Sequence, residues 1–197
     1  MKNKNGLILM SVGLVLFLSS IALNLYNRYD EKRAMQSAES LLSHVEISSE
    51  EKDRNEIPDY ILNPNMPMPT KSGDGIEYIG VLEIDAINMK MPIISQCDNS
   101  NLKVAPCRYS GSAYLDNMVI AGHNYRTHFG YISNLEKGDR ITFTDVDGNE
   151  FNYEVMYIDI LAGNETENMI VAQDWALSLF TCTYDGRSRI TVRAKLV

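Results

Sequence analysis

Three side chains that together could catalyse acyl transfer lie at the ends of apolar segments in this 197-residue chain. Cys182 ends the apolar segment Leu177–Cys182, and Arg189 begins the next such segment after a short turn. His123 follows the apolar segment Met118–Ala121. A thiol and an imidazole suffice for covalent acyl transfer, because the histidine can charge the thiol and later protonate a leaving amine. An arginine stays charged and can hold a developing oxyanion or the substrate backbone.

The cysteine and the histidine each have a competing interpretation. Cys182 could be a buried structural cysteine, which is a common fate of this residue type. His128 is the alternative imidazole, since it follows His123 by only five residues. We favour His123 because Gly122 before it allows close backbone approach and a loop begins after it.

Arg189 is the predicted site arginine because it begins a strand. Arg187 lies in a glycine-containing turn, where a solvated side chain is expected, and Arg193 lies further along the same strand face as Arg189. Any of the three could be an ordinary surface cation. The residues predicted to bind substrate are Thr181, Asn124 and Tyr184. Asn124 and Tyr184 could line a groove, whereas Thr181 precedes Cys182 and so points to the opposite face of the strand.

From residue 76 onward the chain consists mainly of short segments typical of strands. Asp147-Gly148-Asn149 predicts a hairpin turn and fits a turn better than a calcium loop, which needs further ligands. Residues 98–116 are predicted to form a long connection, and residues 131–135 one or two helical turns. Seven or eight strands with few helices predict an all-β fold and a closed or nearly closed barrel. The predicted strands are 78–84, 87–94, 117–121, 140–144, 150–161, 177–182 and 189–197.

An uncharged apolar stretch from Gly6 to Tyr26 precedes this region. At about 1.5 Å per residue it can span a hydrocarbon core about 30 Å thick. Basic residues on both sides leave its orientation ambiguous, and a long domain that translocates regardless of charge favours the N-terminus inside. We favour a retained anchor at residues 1–28. A cleaved signal peptide stays open, because Ser20-Ile21-Ala22 resembles a small-x-small cleavage site.

Residues 29–75 are predicted to connect the anchor to a domain at residues 76–197. Apolar side chains recur on one helical face between Met35 and Val45, which predicts a helical stalk. Four prolines between Pro58 and Pro69 then predict an extended tether.

The composition excludes some classes of partner. The net charge is −8, and lysine and arginine form no long runs, so nucleic acid is not expected to bind. The three cysteines have no C-x-x-C spacing, so neither a zinc knuckle nor a thioredoxin-like site is predicted. Cys97 and Cys107 could pair with each other or be small buried residues.

The order of these motifs resembles that of sortases, the cysteine transpeptidases of Gram-positive surfaces. The resemblance rests on Gly122-His123, Thr181-Cys182 and Arg189, and it runs across roughly residues 76–197. Sortases typically have Thr-Leu-x-Thr-Cys at the nucleophile; this chain has Ser178 in place of the first threonine, which keeps a hydroxyl.

The resemblance implies a closed eight-stranded sortase-like β-barrel with short helices, preceded by a transmembrane helix and a helical stalk. It assigns Cys182 as nucleophile, His123 as acid and base, and Arg189 as oxyanion stabiliser. Thr181 would help to arrange the site through its backbone and hydroxyl. We expect no cofactor and no required metal, because the connection from Gln96 to Asp116 is poor in acidic residues. Since many Gram-positive surface proteins avoid disulfides, we expect the other two cysteines to be unpaired.

The resemblance also implies a reaction and its partners. A sortase cleaves a C-terminal LPXTG-like sorting signal of a secreted protein and transfers the acyl group to a cell-wall amine, such as a peptidoglycan precursor. The expected location is the cell membrane, with a single span and an extracellular catalytic domain. The short connection from Leu161 to Leu177 is similar to that of class A or D rather than class B, and no apolar segment follows Val197 as in class C.

Two other functions stay open. An L,D-transpeptidase-like enzyme also uses cysteine, histidine and arginine, but that family places glycine directly before its cysteine, where this chain has Thr181. A non-enzymatic, membrane-tethered β-barrel binding module would carry Cys182 as an inert residue. A papain-like protease is disfavoured because its cysteine precedes its histidine.

Overall fold

A computed structural model describes residues 4–43, 45, 57–171 and 174–197, which form three helices and nine strands. Short 3-10 turns lie between several strands, at 85–87, 101–103, 113–115 and 132–134. The helices are α1 (Lys4–Ser43), α2 (Asp59–Leu62) and α3 (Thr166–Ile170). The strands are β1 (Lys71–Gly73), β2 (Ile76–Ile84), β3 (Met89–Ile94), β4 (Cys107–Ser110), β5 (Met118–Ala121), β6 (Arg140–Asp145), β7 (Glu150–Ala162), β8 (Leu177–Cys182) and β9 (Ser188–Leu196).

Eight of these strands close into a barrel, which confirms the predicted fold class. The hydrogen-bonded order is β1-β2-β3-β4-β5-β8-β9-β7-β6, and β6 pairs back onto β2. β1 pairs only with β2 and lies outside the ring. Closure leaves few unpaired strand edges, which would otherwise invite association with other chains.

The barrel interior is filled by alternate side chains of the strands. The buried positions on β6 and β7 recur every second residue, as a strand with one inward face requires. The predicted hairpin between these strands is confirmed, with Phe143 opposite Phe151. Its turn is held by Asp145, which accepts hydrogen bonds from the backbone N–H groups of Asp147 and Asn149 at 3.0 and 2.8 Å. A buried aspartate with these partners accounts for the acidic turn without calcium.

The predicted long connection at 98–116 contains a strand that the sequence pattern did not show. β4 pairs antiparallel with β5, and a single parallel pairing, Ile94 with Cys107, joins it to β3. It therefore completes the barrel between two strands that were predicted correctly.

The proline-rich residues described here, 57–75, pack on the barrel, so the predicted extended tether is wrong for this part. Tyr60 stacks on Tyr114 with ring centroids 4.6 Å apart. Met68 is buried in the main core, and β1 pairs with β2. Residues 46–56, the first part of the predicted linker, lie outside the described residues.

The helix α1 contributes to two compact units, Met1–Arg33 and Ala34–Val197. Within the first unit, the described side chains of the apolar stretch are exposed, and the helix is long and apolar enough to cross a membrane. A signal sequence would meet the same criteria.

The last turns of α1 belong to the second unit. Ala34, Ala38 and Leu41 are buried, and the latter two join the main core of the barrel. The predicted helix is confirmed, and its apolar face packs on the barrel instead of lining a free stalk.

Candidate active site

The three predicted catalytic residues lie on or next to three neighbouring strands, β5, β8 and β9. β8 pairs antiparallel with β9, and Cys182 lies directly opposite Arg189. On its other side β8 pairs parallel with β5, with Ala121 opposite Phe180. The Gly122 N–H donates to the Phe180 carbonyl at 3.0 Å, so the pairing continues past the end of β5. His123 is two residues past Ala121 and Cys182 is two residues past Phe180, so we expect the two side chains to lie at the same level of the barrel.

The alternation of β8 sets which side of the barrel carries the site. Leu177 and Leu179 belong to the main core inside the barrel, so Cys182 and Phe180 point outward. Cys182 is half-buried and unpaired. A thiol at a strand end on the outer surface is accessible to a substrate.

Thr181 points inward and is only 1% exposed, with a hydroxyl that makes no hydrogen bond. This placement excludes direct contact between its side chain and a substrate in this conformation. A contribution through its backbone, as part of β8, stays a prediction.

A second apolar cluster forms a platform on the outer surface next to Cys182. Val119 and Ala121 of β5 and Phe180 of β8 pack there against residues that follow β7. The whole cluster comprises Val119, Ala121, Met169, Trp175 and Phe180, and we call it the outer platform. Each of the five side chains is at most 9% exposed. The cluster is therefore a small second core on the outer side of β5 and β8, and it supports these two strands.

The Arg189 guanidinium is held at the turn between β8 and β9. Its Nη1 donates to the Gly186 and Ser188 carbonyls at 3.2 and 3.0 Å. Arg187 in the same turn is exposed. The Arg189 side chain is thus half-buried and bonded to the backbone, whereas that of Arg187 is exposed.

The turn that carries Tyr184 is closed by Asp185. The Thr183 hydroxyl and the Arg187 N–H donate to the Asp185 carboxylate, and Thr183 N–H donates to the Ser188 carbonyl at 3.0 Å. The Thr183 hydroxyl holds the pKa of Asp185 below its usual range. Tyr184 at the tip is 93% exposed, so its predicted place in a groove requires a substrate that reaches over this turn.

The loop after β5 is built so that His123 is held at its base. The Phe129 N–H donates to the His123 carbonyl at 3.1 Å, and the Phe129 ring packs over Gly122. A Cβ at Gly122 would lie 2.5 Å from Phe129 Cδ2, so the glycine is required for space. Tyr125 packs beside the imidazole with ring centroids 4.8 Å apart. Asn124 is half-buried beside it.

His128 occupies a different environment from His123. It is 1% exposed, and neither ring nitrogen makes a hydrogen bond with good geometry. Burial, reinforced by the nearby His123, lowers the pKa of His128 to about 4, against a weak opposite effect of the Val104 backbone. The ring is therefore neutral at pH 7 and inaccessible to a substrate, which favours His123 as the reacting imidazole.

Sequence reasoning did not predict the environment of Arg193. This side chain is buried on the outer face of β9, where its guanidinium donates to Ser178 Oγ at 2.9 Å and to the Met169 carbonyl at 3.2 Å. It also donates to the Asn168 carbonyl and stacks on Trp175, 4.6 Å from the ring centroid. Arg193 thus fastens the segment after β7, which supplies part of the outer platform, to β8 and β9. In the sequence, the position of Arg193 between the apolar residues Val192 and Ala194 was the feature that could have indicated its burial.

Within the described part of the chain, no group of three His, Cys, Asp or Glu side chains is arranged to hold a metal ion. The expected independence from metal stays a prediction.

Comparison with known proteins gives the same family as the motifs. The domain model of one protein family, described as "Sortase domain", matches residues 82–197. Sortase D from Bacillus subtilis is 31% identical over 108 residues, covering 53% of this chain and 54% of that protein. The chain therefore spans about half the length of this curated relative.

Solved structures share the fold. A sortase D5 transpeptidase from Clostridium perfringens superposes with a TM-score of 0.58 at 24% identity, covering 86% of this chain and 99% of that one. Sortase A from Listeria monocytogenes gives a TM-score of 0.55 at 20% identity, covering 61% and 87%. Sortase C from Clostridium perfringens SM101 gives 0.54 at 21% identity, covering 91% and 97%. At these sequence identities, the similarity to the solved structures shows that the fold is shared.

Proposed function

Because this chain belongs to the sortase family, we propose that it is a cysteine transpeptidase with Cys182, His123 and Arg189 as its catalytic residues. The observation that supports the proposal is the register of β5, β8 and β9. Arg189 of β9 lies opposite Cys182 of β8, and the end of β5, two residues before His123, pairs with Phe180 of β8. Such an arrangement suits acyl transfer, since acid–base and electrostatic groups flank the nucleophile.

In the first half of the proposed reaction, the Cys182 proton passes to His123 and the sulfur attacks a substrate carbonyl carbon. The carbonyl oxygen becomes an oxyanion, which the Arg189 guanidinium stabilises. The carbon–nitrogen bond then breaks, and His123 gives its proton to the leaving amine. A thioester on Cys182 remains.

The second half reverses these roles with a different amine. The incoming amine attacks the thioester carbonyl and gives a proton to His123. The carbon–sulfur bond breaks, and the thiolate recovers the proton. A new amide bond forms, so the reaction is transfer, and water in place of the amine would give hydrolysis.

We propose that the substrate is an LPXTG-like sorting signal of a secreted protein and that the acceptor is a cell-wall amine. The outer platform is apolar and buried, and it supports β5 and β8 on the outer side of the barrel, where the peptide would bind. Asn124 and Tyr184 are proposed contacts along its path, and Thr181 a backbone support for Cys182.

The proposed location is the cell membrane, with residues 1–28 as a single span and the catalytic domain outside. The apolar helix and the family support this topology. Residues 29–75 join the anchor to the catalytic domain at 76–197, and Ala38, Leu41 and Met68 of this segment belong to the main core of that domain. Confinement of enzyme and membrane-linked substrates to one surface would raise their effective concentration. The subclass stays proposed as A or D.

The test is covalent capture on the full-length chain in detergent. The protein is incubated with a panel of LPXTG-like peptides, with and without an amine, and followed by intact-mass spectrometry. We expect a peptide adduct on Cys182 that the amine discharges into a transfer product. Absence of any adduct in the wild-type chain, with slow alkylation of Cys182, would instead identify a binding module.

A further inference from the structure

The two cysteines outside the proposed active site meet at one point of the barrel. Cys107 begins β4 and is 0% exposed, whereas Cys97 follows β3 and is half-buried. The Ile94 N–H donates to the Pro106 carbonyl at 2.9 Å, and Arg108 Nε donates to the Ser95 carbonyl at 3.3 Å. These two bonds bring the segment after β3 against the start of β4.

The side chains complete this contact. Cys107 belongs to the main core, and Cys97 packs against the same core. The Cys107 thiol donates to the Ala105 carbonyl at 3.3 Å. Both cysteines are unpaired in this structure.

We propose that Cys97 and Cys107 form a redox-active dithiol that low-molecular-weight disulfides oxidise to an intramolecular disulfide. Cys97 is the attacking residue, because it is the more exposed of the two. The structure supports this order in a second way, since the hydrogen bond from Cys107 lowers the pKa of Cys97 and the pKa of Cys107 is raised.

The proposed exchange is balanced in two steps. The Cys97 thiolate attacks one sulfur of the oxidant, which releases one thiolate and leaves a mixed disulfide on Cys97. Cys107 then loses its proton to the released thiolate, and its sulfur attacks Cys97 Sγ and displaces the second small thiol. The protein loses two hydrogens, and the oxidant is reduced to two thiols.

The crosslink would act next to the proposed substrate groove. Cys97 and Leu102 pack against the outer platform as well as against the main core. A disulfide would therefore fix the segment from Gln96 to Pro106 where it contacts that platform.

The test uses the full-length chain in detergent with Cys182→Ala, which leaves only these two cysteines. The reduced protein is incubated with oxidised glutathione, denatured, alkylated with N-ethylmaleimide and weighed. We expect the loss of both alkylatable thiols, a mass lowered by two hydrogens, and one peptide pair linking residues 97 and 107. We also expect the oxidised form to melt about 5 °C higher, because the link restricts the unfolded chain.

Two further variants give the matched control. Cys182→Ala with Cys107→Ser should stop at a glutathione adduct on Cys97, because the resolving thiol is missing. Cys182→Ala with Cys97→Ser should react far more slowly, because its remaining thiol is buried. Two alkylatable thiols after oxidation, a lasting adduct on Cys97 with Cys107 present, or a link between two chains would each overturn the proposal. None of these outcomes depends on transpeptidase activity, since Cys182 is absent.

Discussion

Cys182 and Arg189 are directly opposed residues on the paired strands β8 and β9, at the end where the two strands separate into a turn. Opposed residues of an antiparallel pair point to the same face of the sheet, with Cβ atoms about 5 Å apart. The register that aligns Val192 with Leu179 in the core therefore also fixes the backbone of Arg189 opposite Cys182. The guanidinium itself is held by the carbonyls of the turn between the two strands. The geometry of the site is in this way a consequence of core packing.

Arg189→Ala should lower kcat/KM for transfer about 100- to 1000-fold, because one oxyanion-stabilising group is lost. Arg189→Lys should recover only part of this, since an ammonium lacks the planar fork. Arg187→Ala in the same turn is the control and should leave the rate unchanged. Steady-state kinetics with peptide and amine measure all three. Similar losses in Arg187→Ala and Arg189→Ala would refute the assignment.

His123→Ala should abolish the adduct on Cys182, because no other described histidine is accessible beside the thiol. His128→Ala should still form the adduct and should unfold more easily by about 1–3 kcal/mol, since it leaves a cavity under the loop. Intact-mass spectrometry reports the adduct, and urea titration reports the stability. Loss of the adduct in a folded His128→Ala variant would show that the wrong imidazole was chosen.

Most strands of the barrel were predictable, because their residues either alternate between apolar and polar or are apolar throughout. Strand β4 was not predictable. Its four residues show no such alternation, and its place depends on pairing with β5. The packing of α1 was missed for a related reason. An apolar helical face looks the same in sequence whether it lines a stalk or packs on a barrel, and only tertiary contact distinguishes the two.

The predicted catalytic residues came from side-chain chemistry at strand ends, and the register of β5, β8 and β9 makes these strands neighbours in the barrel. The platform beside them was not predictable, because its members come from distant segments. Trp175 lies beside Arg193 only once the segment after β7 folds back over β9. No repeating pattern in a single sequence indicates that Trp175 and Arg193 are in contact.

The buried, neutral His128 should make stability depend on pH. Its pKa is about 4 in the folded state, against about 6.5 in an unfolded chain, so the unfolded state binds more protons between these values. The free energy of unfolding should therefore fall as pH drops from about 6.5 to about 4, by up to about 3 kcal/mol from this residue. Urea titrations at about pH 7, 5.5 and 4.5 cover the range between the two pKa values. The free energy of unfolding should fall less steeply with pH in His128→Gln than in the wild type. Parallel pH profiles would contradict the prediction.

Gly122→Ala should impair catalysis through the loop that holds His123. The new methyl group would meet the Phe129 ring at 2.5 Å, so the ring must move and take the loop with it. Such overpacking lowers the free energy of unfolding by about 1–3 kcal/mol. We expect kcat to fall by a larger free-energy equivalent, because the displaced loop carries His123. The double variant Gly122→Ala with Phe129→Leu makes room for the methyl group and should recover part of the rate. A double variant no better than Gly122→Ala would show that the loss has another cause.

Arg193→Met should loosen the segment that carries α3 while leaving the catalytic residues in place. Methionine fills similar space but leaves Ser178 Oγ and the Met169 carbonyl without their buried donor, which costs about 1–3 kcal/mol. We expect faster amide hydrogen exchange in Thr166–Ile170 and a KM for the peptide raised more than kcat is lowered, because the outer platform includes Met169 and Trp175. Lys195→Met is the matched control on the same strand, where the exposed lysine pairs with Glu154 at 3.2 Å. Equal exchange rates in the two variants would mean that Arg193 does not hold this segment.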